Sequence, residues 1–350
     1  MRDVIKIKKW QLVRAKQSAT ELDLTGKEFL TVGKRAFRGG TMESVILPQG
    51  VSAIKAEAFI GCKQFKRVIL PDENSIGLSY AVFRGCECLQ TVENADRISS
   101  IGEKAFAGCS ALETITLGKN LRRIGEDAFR GCEVLHGIDL SASVAMFGKG
   151  AFRDCKALKT VKINDRTKTL AIDLFCGCDS LQEIELPPMI SALPNGVFRD
   201  CTSLLEIQLP ASVRTIGKRA FAGCTQLKSL TMELGVEKIG AHAFADALHL
   251  REVFVPHTLK KLGFGAFGLG KRADGEKISI LVNNEYMEKR MKRLLSRCGS
   301  SGCAEVVVVG KSIEERKRER RRTSLDAAPT HLIDMAVEEK QRLEESQDGE

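Results

Sequence analysis

The chain has 350 residues, with 54 Lys and Arg against 45 Asp and Glu, and a formal net charge of +9. Hydrophobic residues make up 43% of it, enough for a sizeable core, and no run approaches the roughly 18 apolar residues that a membrane span needs. Sixteen Phe stand against two Tyr and one Trp, which indicates one aromatic residue used repeatedly in the same structural position.

The first 21 residues are predicted to form an N-terminal cap. Apolar residues that could cover a first structural repeat are Val4, Ile5, Ile7, Leu12 and Val13. Residues 1–10 alternate charged and apolar side chains and lack the unbroken apolar centre of a signal peptide. We therefore expect a cytoplasmic location, and we expect the twelve Cys to be reduced there.

Residues 22–282 contain a regular internal repeat. Eleven Phe fall in register: Phe37, Phe59, Phe83, Phe106, Phe129, Phe152, Phe175, Phe198, Phe221, Phe244 and Phe267. Cys follows three residues after Phe in eight of these units: Cys62, Cys86, Cys109, Cys132, Cys155, Cys178, Cys201 and Cys224. Such a period of about 23 residues is typical of a solenoid. We count eleven repeats.

The repeat unit reads L-x-x-I-x-L-P-x-x-V-x-x-I-G-x-x-A-F-x-G-C-x-x. The I-x-L alternation predicts a short strand with both apolar side chains on one face. Pro or a small residue ends that strand, and the later Gly permits a turn. The pattern predicts a curved leucine-rich-repeat solenoid, with a parallel β-sheet on the concave face and mostly turns and irregular coil on the convex side.

The A-F-x-G-C-x-x-L-x-x-I-x-L-P unit resembles the BspA-type leucine-rich repeat, from about Leu22 to Val282. The resemblance implies a parallel-stranded solenoid. It also implies a binding protein, since members of that family are often surface adhesins or host-interaction proteins, while many eukaryotic microbial members lack export signals.

Residues 283–310 are predicted to form a C-terminal cap, with a helix over 284–297 and a strand over 305–309. Residues 311–350 are charged and poor in apolar residues, so we expect a largely disordered tail with a weak helix around 333–343. The basic block 316–322 could act in nuclear import. Ser324 follows Arg321-Arg322-Thr323 and is a candidate site for a basophilic Ser/Thr kinase.

No residue pattern points to catalysis, a cofactor or a metal ion. The Cys column forms a ladder along the solenoid instead of the paired C-x-x-C knuckles of zinc sites, so we interpret it as packing. The G-x-G-x-x-G run at 263–268 falls on the Gly and Phe columns of the repeat, which argues against a dinucleotide site.

The outward positions beside I-x-L are acidic in the C-terminal half. We predict a protein-binding surface on the concave face formed by Glu183, Glu185, Glu206, Gln208, Thr231, Glu233, Glu252 and Phe254. An alternative surface is the turn edge that carries Arg38, Arg84, Arg130, Arg153 and Arg199. This edge lacks the interleaved aromatic residues of a nucleic-acid groove.

These observations favour a non-catalytic, monomeric scaffold that binds a protein with a basic patch on its concave face. Its tail would be regulated by phosphorylation. We expect no binding of nucleic acid or membrane. The alternative is a surface or secreted adhesin or receptor of the BspA type that binds host or matrix proteins.

Overall fold

The computed structural model describes residues 4–16, 19–140, 144–232, 235–268 and 275–309. Two compact units divide the chain: Met1–Met189 with Gly196–Thr202, and Ile190–Asn195 with Ser203–Glu350. Each unit is described by itself below, within the described residues.

The first unit consists of short strands connected by turns. The strands are β1 (Val4–Lys8), β2 (Gln11–Lys16), β3 (Glu21–Asp23), β4 (Thr31–Val32), β5 (Ser44–Ile46), β6 (Ala53–Ile54), β7 (Arg67–Ile69), β8 (Ile76–Leu78), β9 (Thr91–Glu93), β10 (Ile98–Ile101), β11 (Arg123–Ile124), β12 (Gly137–Leu140), β13 (Met146–Phe147) and β14 (Thr160–Ile163). A single-turn 3-10 helix at Ala95–Arg97 precedes β10.

The repeats of the first unit contribute to two kinds of sheet. Strands from the I-x-L motif form the order β3-β5-β7-β9 and the pair β12-β14, here called I-x-L sheets. Strands ending at the Ile-Gly pair, called I-G strands, continue from the N-terminal hairpin in the order β1-β2-β4-β6-β8-β10-β11-β13. All pairings are parallel except β1 with β2.

The I-G strands pack their glycines against the backbone of the preceding repeat. A Cβ on Gly125 would lie 2.5 Å from Glu103 N and from Gly102 C, closer than such atoms approach. Gly125 N donates to Ile101 O at 2.8 Å, which joins the two coils at that point. Only glycine allows this approach, so the Gly column of the sequence has a steric cause.

The core of the first unit is a stack of phenylalanine rings. Neighbouring column rings from Phe37 to Phe198 have centroid distances between 4.5 and 5.9 Å and lie within 24° of parallel. The rings in this stack are almost fully buried. Such stacked pairs add about 0.5–1.5 kcal/mol each beyond the burial of their surface. The repeat of one aromatic type thus follows from identical stacking positions.

The second unit repeats the same plan and ends with a helix. Its strands are β15 (Ala192–Leu193), β16 (Glu206–Leu209), β17 (Thr215–Ile216), β18 (Ser229–Met232), β19 (Lys238–Ile239), β20 (Glu252–Phe254), β21 (Lys261–Leu262), β22 (Ile278–Val282) and β23 (Ala304–Val308), with helix α1 at Glu285–Arg297 before β23. The I-G strands order as β15-β17-β19-β21, and the I-x-L sheets are β16-β18 and β20-β22-β23. The column rings of Phe221, Phe244 and Phe267 stack at 5.4 Å.

Helix α1 takes the place of the turn segments in the last coil. Asn284 caps its N-terminus, because the Asn284 side chain accepts a hydrogen bond from Met287 N at 2.8 Å. Met287, Met291 and Leu295 are buried. At the other end, Gly265 N donates to Cys298 O at 2.6 Å and ties the helix to the preceding coil.

The predicted fold class is confirmed: the chain is a leucine-rich-repeat solenoid with parallel sheets and little helix. The I-G sheets are a feature that the sequence did not predict. The expected tail, including the helix at 333–343 and the basic block 316–322, lies outside the described residues. In the part of the chain that the structure describes, no helix combines the length and apolar character that crossing a membrane requires.

Candidate functional site

The I-x-L strands carry the surface predicted to bind a partner. Burial alternates strictly along β14 and β16: Val161 and Ile207 face the core, while Lys162 and Glu206 are exposed. We call the side of these sheets that points away from the core the outer face. Parallel, in-register pairing sets Glu206 beside Ser229 on the next strand. Side chains in such a row are about 4.8 Å apart.

Four residues of the predicted surface are exposed. Glu183 and Glu185 lie in the first unit on either side of the buried Ile184, in an I-x-L segment that does not form a strand. Because exposure alternates there as it does on the strands, we count this segment with the outer face. Glu206 and Gln208 lie on β16 of the second unit. No ion pair joins Glu183, Glu185 or Glu206 to a basic side chain of the described residues.

Several other surface carboxylates are paired with basic side chains. Glu133 Oε1 lies 2.9 Å from Lys156 Nζ, and Glu43 Oε2 lies 2.8 Å from Lys66 Nζ. Glu57 pairs with Arg35, whose hydrogen bond lowers the pKa of that carboxyl group. Glu183, Glu185 and Glu206 are not paired in this way, so each keeps an unbalanced negative charge among the described residues.

The prediction that Thr231 and Phe254 belong to an exposed surface is wrong. Thr231 is 9% exposed and Phe254 is fully buried. Phe254 is in register with Leu281 of β22, which is only 5% exposed, so the two apolar side chains adjoin on the outer face. Removing them from water is favourable, and this part of the face is therefore not an exposed polar surface.

Of the three remaining predicted site residues, only Glu252 lies among the described residues. Glu252 is half-buried on β20, next to Ser279 of β22. Glu233 and the candidate phosphorylation site Ser324 lie outside the described residues. The predicted acidic surface therefore reduces to one exposed pair in each unit, with Glu252 at the edge of a buried region.

The arginine edge carries its own counter-charges. Arg130 Nε lies 3.5 Å from Asp154 Oδ2, and Arg130 Nη1 lies 3.8 Å from Asp127 Oδ2. Arg153 Nε also lies 3.8 Å from Asp154 Oδ2. Asp127 and Asp154 occupy left-handed turn positions with φ of 50° and 59°. These carboxylates offset the positive charge of this stretch of the edge.

The cysteine column donates hydrogen bonds along the core. Each Sγ from Cys62 to Cys201 lies 3.0 to 3.3 Å from the carbonyl oxygen of a column Phe in the preceding coil. Burial raises the pKa of the Cys132 and Cys155 thiols well above the ordinary value. The thiols therefore keep their protons at neutral pH and act as donors.

The described residues contain no cluster of three His, Cys, Asp or Glu side chains that could hold a metal ion. The run 263–268 belongs to the repeat, because Gly263 packs against the backbone of Ala241 and Phe267 continues the ring stack. In this geometry the thiols and glycines serve the packing of the repeat.

A family model confirms the repeat type. The model for the BspA type leucine rich repeat region matches residues 30–159 and 146–270, with six copies of the repeat. The chain belongs to the BspA-type leucine-rich repeat family. Repeat proteins of this kind form, in general, a non-enzymatic fold that binds other proteins over extended surfaces.

Solved structures share the fold of this BspA-type chain. A leucine rich cell surface protein from Faecalibacterium prausnitzii is 20% identical, with a TM-score of 0.51 over 88% of this chain and 92% of that chain. The pneumococcal vaccine antigen PcpA is 18% identical, with a TM-score of 0.58 over 87% of this chain and 95% of that chain. No curated protein sequence matches the chain.

Two features of this BspA-type chain were missed by sequence reasoning. Two aspartates that pair with the arginine edge are local in the sequence: Asp127 precedes Arg130 by three residues, and Asp154 follows Arg153 directly. The apolar pair Phe254 and Leu281 is separated by 27 residues, so the 23-residue period does not reveal it.

Proposed function

We propose that this BspA-type repeat protein binds a partner protein through the outer face of its I-x-L strands and has no catalytic role. The observation that carries the proposal is a set of exposed carboxylates that form no ion pair with a basic side chain of the described residues, Glu183, Glu185 and Glu206. Glu183 and Glu185 carry like charges two residues apart within one unit, which opposes folding, and a bound cationic surface would remove that cost.

The partner is a protein that presents Lys and Arg on a surface complementary to this face. Attraction of this kind accelerates encounter and depends on ionic strength, because exposed charges are screened over about 8–10 Å in physiological salt. Gln208 beside Glu206 adds an amide that donates and accepts hydrogen bonds.

We place the protein in a reducing compartment, as an intracellular scaffold. Support comes from the buried thiols that donate to Phe carbonyl oxygens, since a cysteine in a disulfide has no S–H to donate. The tail would add regulation, through phosphorylation of Ser324 and nuclear import by the basic block 316–322.

The second candidate function is that of a surface or secreted adhesin or receptor. It is favoured by the fold likeness to a protein described as a cell surface protein. On this alternative the outer face would bind a host or matrix protein. The protein would then occur outside the cell with its cysteines oxidised.

Affinity capture with charge-reversed baits tests the proposal. The baits are the full chain, Glu183→Lys with Glu185→Lys, and Glu206→Lys. The matched control is Glu126→Lys with Asp165→Lys, which reverses two exposed carboxylates away from the outer face. We expect a protein that the full chain and the control retain and that at least one outer-face variant loses. Identical retention by all baits would contradict the proposal.

A further inference from the structure

The outer face becomes apolar toward the end of the second unit. Pairing in register places Phe254 beside Leu281 and Leu281 beside Val307. We call these three residues the apolar row. The corresponding position on β16 is Gln208 and that on β14 is Lys162, both exposed.

The apolar row lies on the side of the sheet away from the core. Val253 and Ile280 are paired in register and fully buried, and they belong to the inward column of the repeat. Since side chains alternate along a strand, Phe254 and Leu281 point to the opposite side. Yet Phe254 is 0% and Leu281 is 5% exposed.

Helix α1 completes the inner side of this sheet. Its backbone is tied to the preceding turn, with Gly265 N donating to Cys298 O at 2.6 Å. Arg290 Nη1 donates to His257 O at 3.2 Å. These bonds hold α1 where the turn segments of the earlier coils lie, with Met291 buried. The burial of the apolar row therefore calls for a covering segment other than α1.

We propose that residues 331–343 of this same chain dock on the apolar row. The sequence there is HLIDMAVEEKQRL, in which Leu332, Ile333, Ala336, Val337 and Leu343 recur at helical spacing. A helix of 13 residues is about 20 Å long. The strands from β18 to β23 span about 14 Å at 4.8 Å per step, so one such helix covers them.

The connection between the row and the segment is short. Val309 follows β23 directly, and 21 residues, 310–330, separate it from residue 331. A flexible linker of that length has an end-to-end distance of about 25 Å, which is more than the row requires. Intramolecular docking then proceeds at an effective concentration on the order of millimolar.

The charges beside the row are compatible with this segment. Glu305 is exposed on β23, next to Ser279 in the row that flanks the apolar one. In a helix, Lys340 lies on the same side as Ile333 and Ala336, at spacings of seven and four residues. Its ammonium group complements that carboxylate. By contrast, the loop 269–274 offers only Leu269 and Ala273 as apolar side chains.

Amide hydrogen exchange of the full chain, read by mass spectrometry, tests the docking. We expect amides of residues 331–343 to exchange at least about tenfold more slowly than in a free peptide of the same sequence. Ile333→Asp with Val337→Asp removes that protection, whereas the matched control Ala327→Asp with Ala328→Asp keeps it. Because the variants lie outside the solenoid, they leave its core unchanged.

The complementary variant lies on the row itself. In the Phe254→Ser variant, we expect the amides of residues 331–343 to exchange at the rate of the free peptide, while amides of the first unit stay protected. If Phe254→Ser fails to fold, Val307→Ser, at a half-buried position, replaces it. Free exchange of residues 331–343 in the unaltered chain overturns the proposal. Protection that survives both row variants, or that disappears on dilution as a contact with a second copy would, also overturns it. The test needs no partner, so its failure is separate from failure of the proposed binding function.

Discussion

The thiol of Cys155 donates a hydrogen bond to the carbonyl oxygen of Phe129, with Sγ 3.2 Å from that oxygen. The bond joins one coil to the preceding one through the buried core. The same bond recurs along the column, so each cysteine links two repeats. Cys155 is thus a structural donor as well as a small apolar side chain.

Replacing Cys155 by alanine should lower the free energy of unfolding by about 0.5–1.5 kcal/mol, because the Phe129 carbonyl oxygen loses its thiol donor and keeps only the hydrogen bond from Cys132 N at 3.1 Å. The control is Cys88→Ala, at an exposed position, which should change stability by less than about 0.5 kcal/mol. Urea unfolding followed by circular dichroism measures both. Equal effects of the two substitutions would show that the column bond contributes nothing.

Phe152→Ala should destabilise the chain by about 3–5 kcal/mol, since it opens a cavity in the ring stack. The Phe152 ring is fully buried, at 5.3 Å from the Phe129 ring and 5.7 Å from the Phe175 ring. Phe264→Ala is the matched control, because Phe264 is 58% exposed. We expect it to cost about 1 kcal/mol or less in the same urea experiment. A cost at Phe152 no larger than that at Phe264 would be inconsistent with a stacked core.

Stability should fall steeply in alkaline solution. Burial raises the pKa of the Cys132 and Cys155 thiols, while an unfolded thiol titrates near about 8.5. Above that pH the unfolded chain binds fewer protons than the folded chain, so the free energy of unfolding decreases as pH rises. The stability that these protonated thiols contribute is retained in full below about pH 8.5. Above that pH, each buried thiol lowers the free energy of unfolding by at most about 1.4 kcal/mol per pH unit.

The variant Cys132→Ala with Cys155→Ala isolates this contribution. Two titrating thiols are removed, so the decline of unfolding free energy with pH should be shallower by up to about 2.7 kcal/mol per unit. Urea midpoints measured at a series of alkaline pH values give the two slopes. Parallel slopes for the variant and the unaltered chain would mean that these thiols do not resist ionisation.

Gly125→Ala should cost about 1–3 kcal/mol, because the new Cβ would lie 2.5 Å from backbone atoms of Glu103 and Gly102. Gly26→Ala, where a Cβ would meet no atom within 4 Å, should leave stability within about 0.5 kcal/mol. Thermal unfolding compares the two. A destabilised Gly26→Ala together with a tolerated Gly125→Ala would reverse this account of the Gly column.

The repeat made the fold predictable. Eleven Phe at a near-constant interval define one structural position, and the I-x-L alternation gives the strand and its buried face. The I-G sheets were not predicted, since strands such as Arg123–Ile124 have two residues and show no alternation. Parallel pairing with the neighbouring coils stabilises them, and that contact is not visible within one repeat.

The candidate site was predicted only in part. Glu206 and Gln208 follow the 23-residue register and are exposed, as that register indicates. Phe254 does not follow this expectation, because it is buried although it occupies an outward position. Its apolar neighbour Leu281 comes after a longer last coil, so the 23-residue period does not place the two residues together.

Site-specific photo-cross-linking tests the central claim, binding of a partner on the outer face, most directly. A photoreactive phenylalanine analogue is placed at Glu185 or Gln208, and at the control positions Glu126 and Asp165, which are also exposed. We expect irradiation in native lysate to give an adduct heavier than the chain at the first two positions and none at the controls. An internal cross-link to the tail adds no mass and is thereby distinguished. Adducts at the control positions alone, or none at Glu185 and Gln208, would contradict the claim.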